Sequence, residues 1–211
     1  MNKAPILHIL VPCMDTVKSH FAFDLVNLFD NLHRHPVADP RLIIHQSSIL
    51  PLSRCILVRE ALKAGAEWVL FLDSDMRFPN DIVHRLMAHR VDVVAAQYAK
   101  KDGKQSPVIK YTSNQPLEGL LQVESVATGC LLIKASVFGK LRKPYFAFVS
   151  AADPMEPGEP DSMCFGEDVY FSRMCNQAGV PLYVDFEASK FMGHTGQANF
   201  TLAGVKFGSD T

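Results

Sequence analysis

No stretch of this 211-residue sequence approaches the roughly 20 consecutive apolar residues that span a bilayer, so no membrane-spanning helix is expected. The amino terminus, Met1 to Val11, has one Lys and a short apolar run broken by His8, too short and too poor in small residues for a secretion signal. Charge of one sign is missing too. The 21 Lys and Arg face 22 Asp and Glu, and a net charge of -1 announces neither a nucleic-acid nor a membrane partner, although it leaves a local basic patch open. The five cysteines, Cys13, Cys55, Cys130, Cys164 and Cys175, are odd in number and form no Cys-x-x-Cys pair. Reduced thiols in a cytoplasmic protein are therefore the expectation. There is no internal repeat and no low-complexity segment. What remains, 48% hydrophobic and 20% charged, describes one soluble domain over residues 1–211 with enough apolar mass for a substantial core.

The most informative stretch is Glu67 to Met76. Five apolar residues, Trp68 to Leu72, stop at Asp73-Ser74-Asp75. An apolar run bounded this way predicts a strand buried on both faces of a parallel sheet, with its carboxyl end at the aspartates. Ligands of open α/β sheets bind at that edge, and side chains two apart on an extended backbone point the same way. Two hard oxygen ligands on one side suit Mg²⁺ or Mn²⁺. A strand ending in a polar turn gives the same tripeptide, so position after a buried strand is what singles it out.

Before this stretch, Ile6 to Val11 reads as a strand closed by Pro12. A helix follows, with Thr16 as cap and Phe21, Leu25, Leu28, Phe29 and Leu32 at helical spacing. Leu42 to His45 reads as a second strand. Ser53 is the expected cap of a second helix carrying Val58, Ala61 and Leu62 and stopped by Gly65. After the aspartates, Pro79 is expected in the first turn of a helix with Ile82, Val83, Leu86 and Met87 inward, and Asp92 to Tyr98 as a fourth strand. Alternating elements with short connections predict right-handed crossovers and a parallel sheet over residues 1–100.

Residues 101–211 change character. Val108 to Tyr111, Leu120 to Glu124 and Ala127 to Lys134 are short strand candidates without long helices between them, which predicts a mixed or antiparallel extension. Ser150 to Cys164, with three prolines and four carboxylates, reads as a long surface loop of the kind that closes over ligands. A helix starts near Gly166, with Phe171, Met174, Cys175 and Ala178 on one face and Gly179 at its end. Leu182 to Phe186 is then a strand.

Two further constellations carry chemistry. Phe165-Gly166-Glu167-Asp168 opens a helix with two acids, which by itself is what complementing the helix dipole favours. Met192-Gly193-His194-Thr195-Gly196 sets a His between glycines that let the backbone bend close to a bound group. Neutral imidazole is a common partner for a metal already held by carboxylates.

Taken in order, Asp73-Ser74-Asp75, Gly166-Glu167-Asp168 and Met192-Gly193-His194 resemble the Asp-x-Asp, Glu-Asp and metal-binding His signatures of GT-A fold glycosyltransferases. The resemblance runs from Ile6 to Gly196 and is greatest to small family-2-like transferases of bacteria and phages. Ser53-Arg54 resembles the Ala-Arg-Asn segment before the Asp-x-Asp strand, and Ala127 to Leu132 resembles the Gly-x-Gly-x-x-Leu strand of the acceptor half. Cys55 stands where Asn is expected, and Tyr145 where Trp often follows a Pro.

The resemblance implies a GT-A (Rossmann-like), mostly parallel α/β sheet with a mixed C-terminal extension. Residues 1–100 would be the nucleotide-sugar half and 101–211 the acceptor and catalytic half. It implies a hexosyltransferase-type enzyme using Mn²⁺ or Mg²⁺ and a nucleotide-sugar, a UDP-sugar first. Asp73, Asp75 and His194 would hold the metal, with Asp73 also reaching the ribose. Pro12, Met14 and Asp15 would hold the nucleobase, and Arg54, Ser74 and Lys100 (with Lys101 beside it) would face the diphosphate. Asp168 would be the general base of an inverting displacement, with Glu167 binding a donor or acceptor hydroxyl. The acceptor stays open among a glycan, a lipid-linked sugar, a protein and a modified DNA base. Two other readings compete. A haloacid-dehalogenase-like phosphatase also has Asp-x-Asp after a buried strand, but near the amino terminus and with Thr or Val next but one, where this chain has Met76 and Arg77. A non-catalytic sugar-nucleotide-binding subunit would not need the Glu167-Asp168 pair.

Overall fold

The computed structural model describes residues 3–101, 107–108, 118–150, 164–196 and 199–201. β1 (Ile6–Cys13) is followed by α1 (Ser19–Arg34), β2 (Asp39–Gln46), α2 (Leu50–Lys63) and β3 (Trp68–Leu72). The aspartates lead into a two-residue β4 (Met76–Arg77), then α3 (Ile82–Ala88) and β5 (Val93–Ala95). The second half contributes β6 (Leu120–Val123), β7 (Cys130–Lys134), a 3₁₀ turn at Ala135–Gly139, β8 (Val149–Ser150) and β9 (Cys164–Phe165). α4 (Glu167–Gln177), β10 (Leu182–Asp185), α5 (Phe186–Ser189), β11 (Gly193–Thr195) and β12 (Asn199–Thr201) complete it.

Seven strands form one sheet in the order β2-β1-β3-β7-β5-β10-β6. β1 pairs in parallel with β2 and β3, and β10 with β5, while β7 runs antiparallel to both β3 and β5, and β6 antiparallel to β10. Five strands therefore point one way and the sheet is largely parallel. Of the two antiparallel strands of the second half, β6 extends the sheet at its edge, as expected of a mixed extension, while β7 lies at the centre. β7 is apolar and buried from Cys130 to Ile133, hence on both faces, so it fits the middle of a sheet covered on both sides. Its Cys130 pairs with Leu72, which brings the loop before β7 against Asp73: Asp73 N–H donates to the Gly129 carbonyl at 3.1 Å.

One apolar layer gathers α1 and α3 with Leu70, Leu72 and Met192; the other gathers α2 and α4 with Val69, Phe71 and Phe146. Several boundaries differ from those expected. α1 begins at Ser19 after Lys18, without a side-chain cap, so Thr16 lies outside it. α2 begins three residues before Ser53, with Pro51 in its first turn and Ser53 buried against His45, whose Nδ1 is 3.0 Å from Ser53 Oγ. Pro79 precedes α3 and accepts the Ile82 N–H at 3.2 Å. β1 and β2 are longer than the apolar runs and β5 is shorter, because pairing to a neighbour sets strand length more than composition does. β10 stops at Asp185, whose carboxylate caps α5 by accepting the Ala188 N–H. Gly65 and Gly179 take positive φ at 78° and 67° and end α2 and α4 as expected. Most of Val108 to Tyr111, and residues 151–163, lie outside the described residues.

Candidate active site

Asp73 and Asp75 follow β3 at the carboxyl end of the parallel strands, the edge at which open α/β sheets bind ligands. They line a pocket of about 220 Å³ together with Ser74, with Pro12, Cys13 and Met14 after β1, and with Ser47, Ser48 and Leu50 after β2. Five of the residues singled out in the sequence, Pro12, Met14, Asp73, Ser74 and Asp75, thus share one cavity.

His194 reaches this place through the chain's longest-range pairing around the site. β11 runs antiparallel to β4, with His194 opposite Met76 and Gly193 opposite Arg77, and the Thr195 N–H donates to the Asp75 carbonyl at 2.8 Å. The result is His194 Nε2 at 3.5 Å from Asp75 Oδ1. The other ring nitrogen, Nδ1, is 3.1 Å from the Ala99 carbonyl oxygen, which only an N–H can satisfy. That contact takes an N–H at Nδ1 and turns Nε2 toward Asp75, the arrangement by which outer partners fix the orientation of a metal-ligating imidazole. The Tyr98 ring meets the imidazole edge-on at 5.1 Å between centroids, and the Tyr98 hydroxyl accepts the Gly129 N–H at 3.1 Å. A Cβ on Gly129 would fall 2.4 Å from that hydroxyl, so the strand approaches the site this closely only because residue 129 has no side chain.

Asp75 is doubly engaged, because the Lys101 ammonium pairs with its Oδ2. Burial works to raise the Asp75 carboxyl, but the hydrogen bonds and charges of His194 and Lys101 outweigh it and pull it down to about 2. Asp73 is set differently. Burial raises its carboxyl despite Arg54, whose Nη2 donates to Oδ2 at 2.9 Å and lies 2.8 Å from Oδ1.

Arg54 itself is 0% exposed, with its guanidinium 5.1 Å from the Phe71 ring centroid and its Nε 3.4 Å from Glu167 Oε1. Burial opposes its charge and the two carboxylates hold it on. In place of an open fork for phosphate, the structure has Arg54 beneath the pocket, tying Asp73 on β3 to Glu167 on α4. Glu167 is likewise buried at 8% exposure and paired, so its carboxylate faces Arg54 instead of an open acceptor side. Asp168 remains partly exposed at the start of α4. Its Oδ1 accepts the Val169 N–H at 2.7 Å, over a Gly166 whose added Cβ would come within 2.7 Å of it. The glycine makes room for the carboxylate at the start of the helix.

Asp15 is exposed and accepts the Thr16 hydroxyl at 3.3 Å; it is not among the pocket's walls. Lys100 is exposed, and Lys101, one residue on, is the cation at the aspartates. Gly129 belongs to the Ala127 to Leu132 segment singled out in the sequence, whereas Tyr98, Ser47 and Ser48 carry no local pattern that marks them.

The divalent cation implied by the motifs is tested by this donor set. Among the described residues no group of three or more His, Cys, Asp and Glu side chains gathers as a metal cage. Asp75 and His194 are two adjacent oxygen and nitrogen donors beside an open pocket. Mg²⁺ and Mn²⁺ commonly sit on one or two protein ligands with phosphate oxygens and water completing the shell, so the residues fit such an ion held jointly with a diphosphate.

The family model Anp1 matches residues 44–118, which include α2, β3 and the aspartates. No curated protein matches the sequence. Among solved structures, A197 from STIV superposes with a TM-score of 0.61 at 19% identity, over 95% of this chain and 92% of A197. S. aureus TarS 1-349 matches with a TM-score of 0.48 at 10% identity, and GalNAc-T7 with UDP, GalNAc and Mn²⁺ matches with 0.49 at 11%. These cover 86% and 90% of this chain but only 60% and 44% of the longer proteins. At 19% identity the likeness to A197 is one of fold, a mixed α/β architecture around a largely parallel sheet. No described helix is long and apolar enough to cross a membrane.

Proposed function

We propose that this protein is a glycosyltransferase that moves a hexosyl group from a nucleoside-diphosphate sugar, a UDP-sugar first, to an acceptor hydroxyl with inversion, and that it requires Mn²⁺ or Mg²⁺. The observation that carries this reading is the meeting of Asp75 and His194 across β4 and β11, beside a pocket walled by Pro12, Met14, Asp73 and Ser74. Asp75 and His194 would hold the cation, which would supply charge neutralisation for the departing diphosphate. Asp73, kept in place by Arg54, would face the ribose or the cation. Pro12 and Met14 pack against the base, and Ser47 and Ser48 offer hydroxyls at the same wall. Lys101, which balances Asp75 in the free protein, is within reach to follow the charge to the diphosphate.

Asp168 takes the acceptor's proton as the hydroxyl attacks the anomeric carbon from the face opposite the diphosphate. A glycan, a lipid-linked sugar, a protein and a modified DNA base all offer such a hydroxyl. The reading is tested by incubating the protein with a panel of nucleotide-sugars and Mn²⁺ and measuring released nucleoside diphosphate, with p-nitrophenyl phosphate alongside. Slow release from a UDP-sugar that stops on chelation and in Asp75→Asn supports it. Release indifferent to chelator, or turnover of the phosphate monoester alone, contradicts it.

A further inference from the structure

A second, larger depression of about 880 Å³ lies away from the aspartates, between the outer face of α2 and residues 143–145. Leu52, Cys55, Ile56, Arg59, Leu62 and Lys63 line it at positions i, i+3, i+4, i+7, i+10 and i+11, so one stripe of α2 forms its floor over most of the helix. Lys143, Pro144 and Tyr145 form the facing wall. Its size is that of a ligand site, and a mostly apolar lining with a few convergent polar groups is the usual composition of one.

The charged groups here are all cations: Arg59 and Lys63 on α2, and Lys143 opposite. Glu60 pairs with Arg59 at 2.8 Å and with Lys63 at 3.5 Å, which leaves three positive charges against one negative. The chain as a whole has a net charge of -1, so this excess is local. Leu52 at the amino end of the groove is 49% exposed, and Ile49 and Phe148 are 55% and 63% exposed. Arg59 lies about 10 Å further along the helix and Lys63 about 16 Å, seven and eleven residues at 1.5 Å each.

A soluble single-chain anion would use the groove but leave Ile49 and Phe148 bare. A membrane covers them as well.

We propose that the α2 groove docks the protein on an anionic membrane surface. One acidic phospholipid places its phosphate against Arg59, Lys63 and Lys143 and an acyl chain along Leu52, Cys55 and Ile56, while Ile49 and Phe148 enter the interface beside it. Leu50 lines the aspartate pocket and Leu52 lines the groove, so docking in this orientation holds the mouth of the candidate active site at the bilayer surface.

The test is co-sedimentation of the purified chain with phosphatidylcholine vesicles that contain or lack phosphatidylglycerol. The wild type is expected on the anionic vesicles only, with binding that weakens as salt is added. Joint replacement Arg59→Gln, Lys63→Gln and Lys143→Gln should weaken it on the order of a hundredfold, and Leu52→Ser by several-fold, with unchanged circular dichroism and unchanged diphosphate release from a soluble donor. Equal partition to both vesicle types overturns the proposal, as does wild-type binding by the triple variant. Saturable binding of monomeric dodecyl phosphate without vesicle binding also overturns it, and assigns the groove to a free amphiphile.

Discussion

Arg54 brings a full charge into the interior because Asp73 and Glu167 meet it there, and the three stand or fall together. Arg54→Met keeps the volume and the packing on Phe71 but leaves two carboxylates without a counter-charge. Breaking a buried pair from one side costs about 3–5 kcal/mol, so urea denaturation should register a loss of that order. The deficit should shrink on acidification. The folded Asp73 carboxyl, raised by burial and no longer pulled down by Arg54, then binds its proton more tightly than the unfolded one, and stability falls as pH rises wherever the native state holds more protons. A variant equally destabilised from pH 7 to pH 5 would contradict this account of the cluster.

Asp75 behaves oppositely, because its carboxyl is depressed to about 2 from the usual 3.8. Its contribution is present above the unfolded value and is lost as pH falls between about 4 and 2, on the order of 2 kcal/mol in metal-free protein. Asp75→Asn should lack that component. Parallel stability curves for the two proteins through this window would show that the pairs with His194 and Lys101 do not form in solution.

The β4 and β11 elements, two and three residues long, do for the site what no local signal announces. They join His194 to Asp75 across more than a hundred residues of chain. β3, α4 and the glycine stops were legible because an apolar run, a helical period and a positive-φ residue are each written in a few adjacent positions. The aspartates were legible for the same reason, since a buried strand delivers them to the ligand edge whatever surrounds it. The central place of β7 was not legible, because strand order depends on pairing partners: the apolar run Cys130 to Ile133 calls for cover on both faces but names no neighbours. Neither was the burial of Arg54 and Glu167: an Arg in an α2 stripe and a Glu at a helix start look solvated until the two elements pack together.

At this scale Gly129 is the informative variant. In Gly129→Ala the new methyl collides with the Tyr98 hydroxyl, which is fixed in the core, so overpacking should cost about 1–3 kcal/mol and loosen the ring that braces His194. Thermal melts and the affinity for Mn²⁺ should fall together; a melt at the wild-type temperature would mean that the strand relaxes without moving Tyr98.

For the molecule as a whole, the account assigns the nucleotide-sugar to one edge of the sheet, where β1, β2 and β3 end, and the acceptor's base to α4 at the same edge. Asp168→Asn should therefore preserve fold and nucleotide binding while turnover falls by roughly 10²- to 10⁴-fold, the range for a lost general base. Wild-type turnover by this variant, or a product that keeps the donor's anomeric configuration, would remove Asp168 from that role.

The central claim is that Asp75 and His194 hold a divalent cation jointly with a nucleoside diphosphate. Titration calorimetry of UDP into the purified protein, with Mn²⁺ and then with a chelator, tests it most directly. The account predicts binding that is strengthened at least tenfold by Mn²⁺ in the wild type, with the gain largely lost in both Asp75→Asn and His194→Ala. Equal UDP affinity with and without the metal, or a full Mn²⁺ effect in the Asp75 variant, would contradict it.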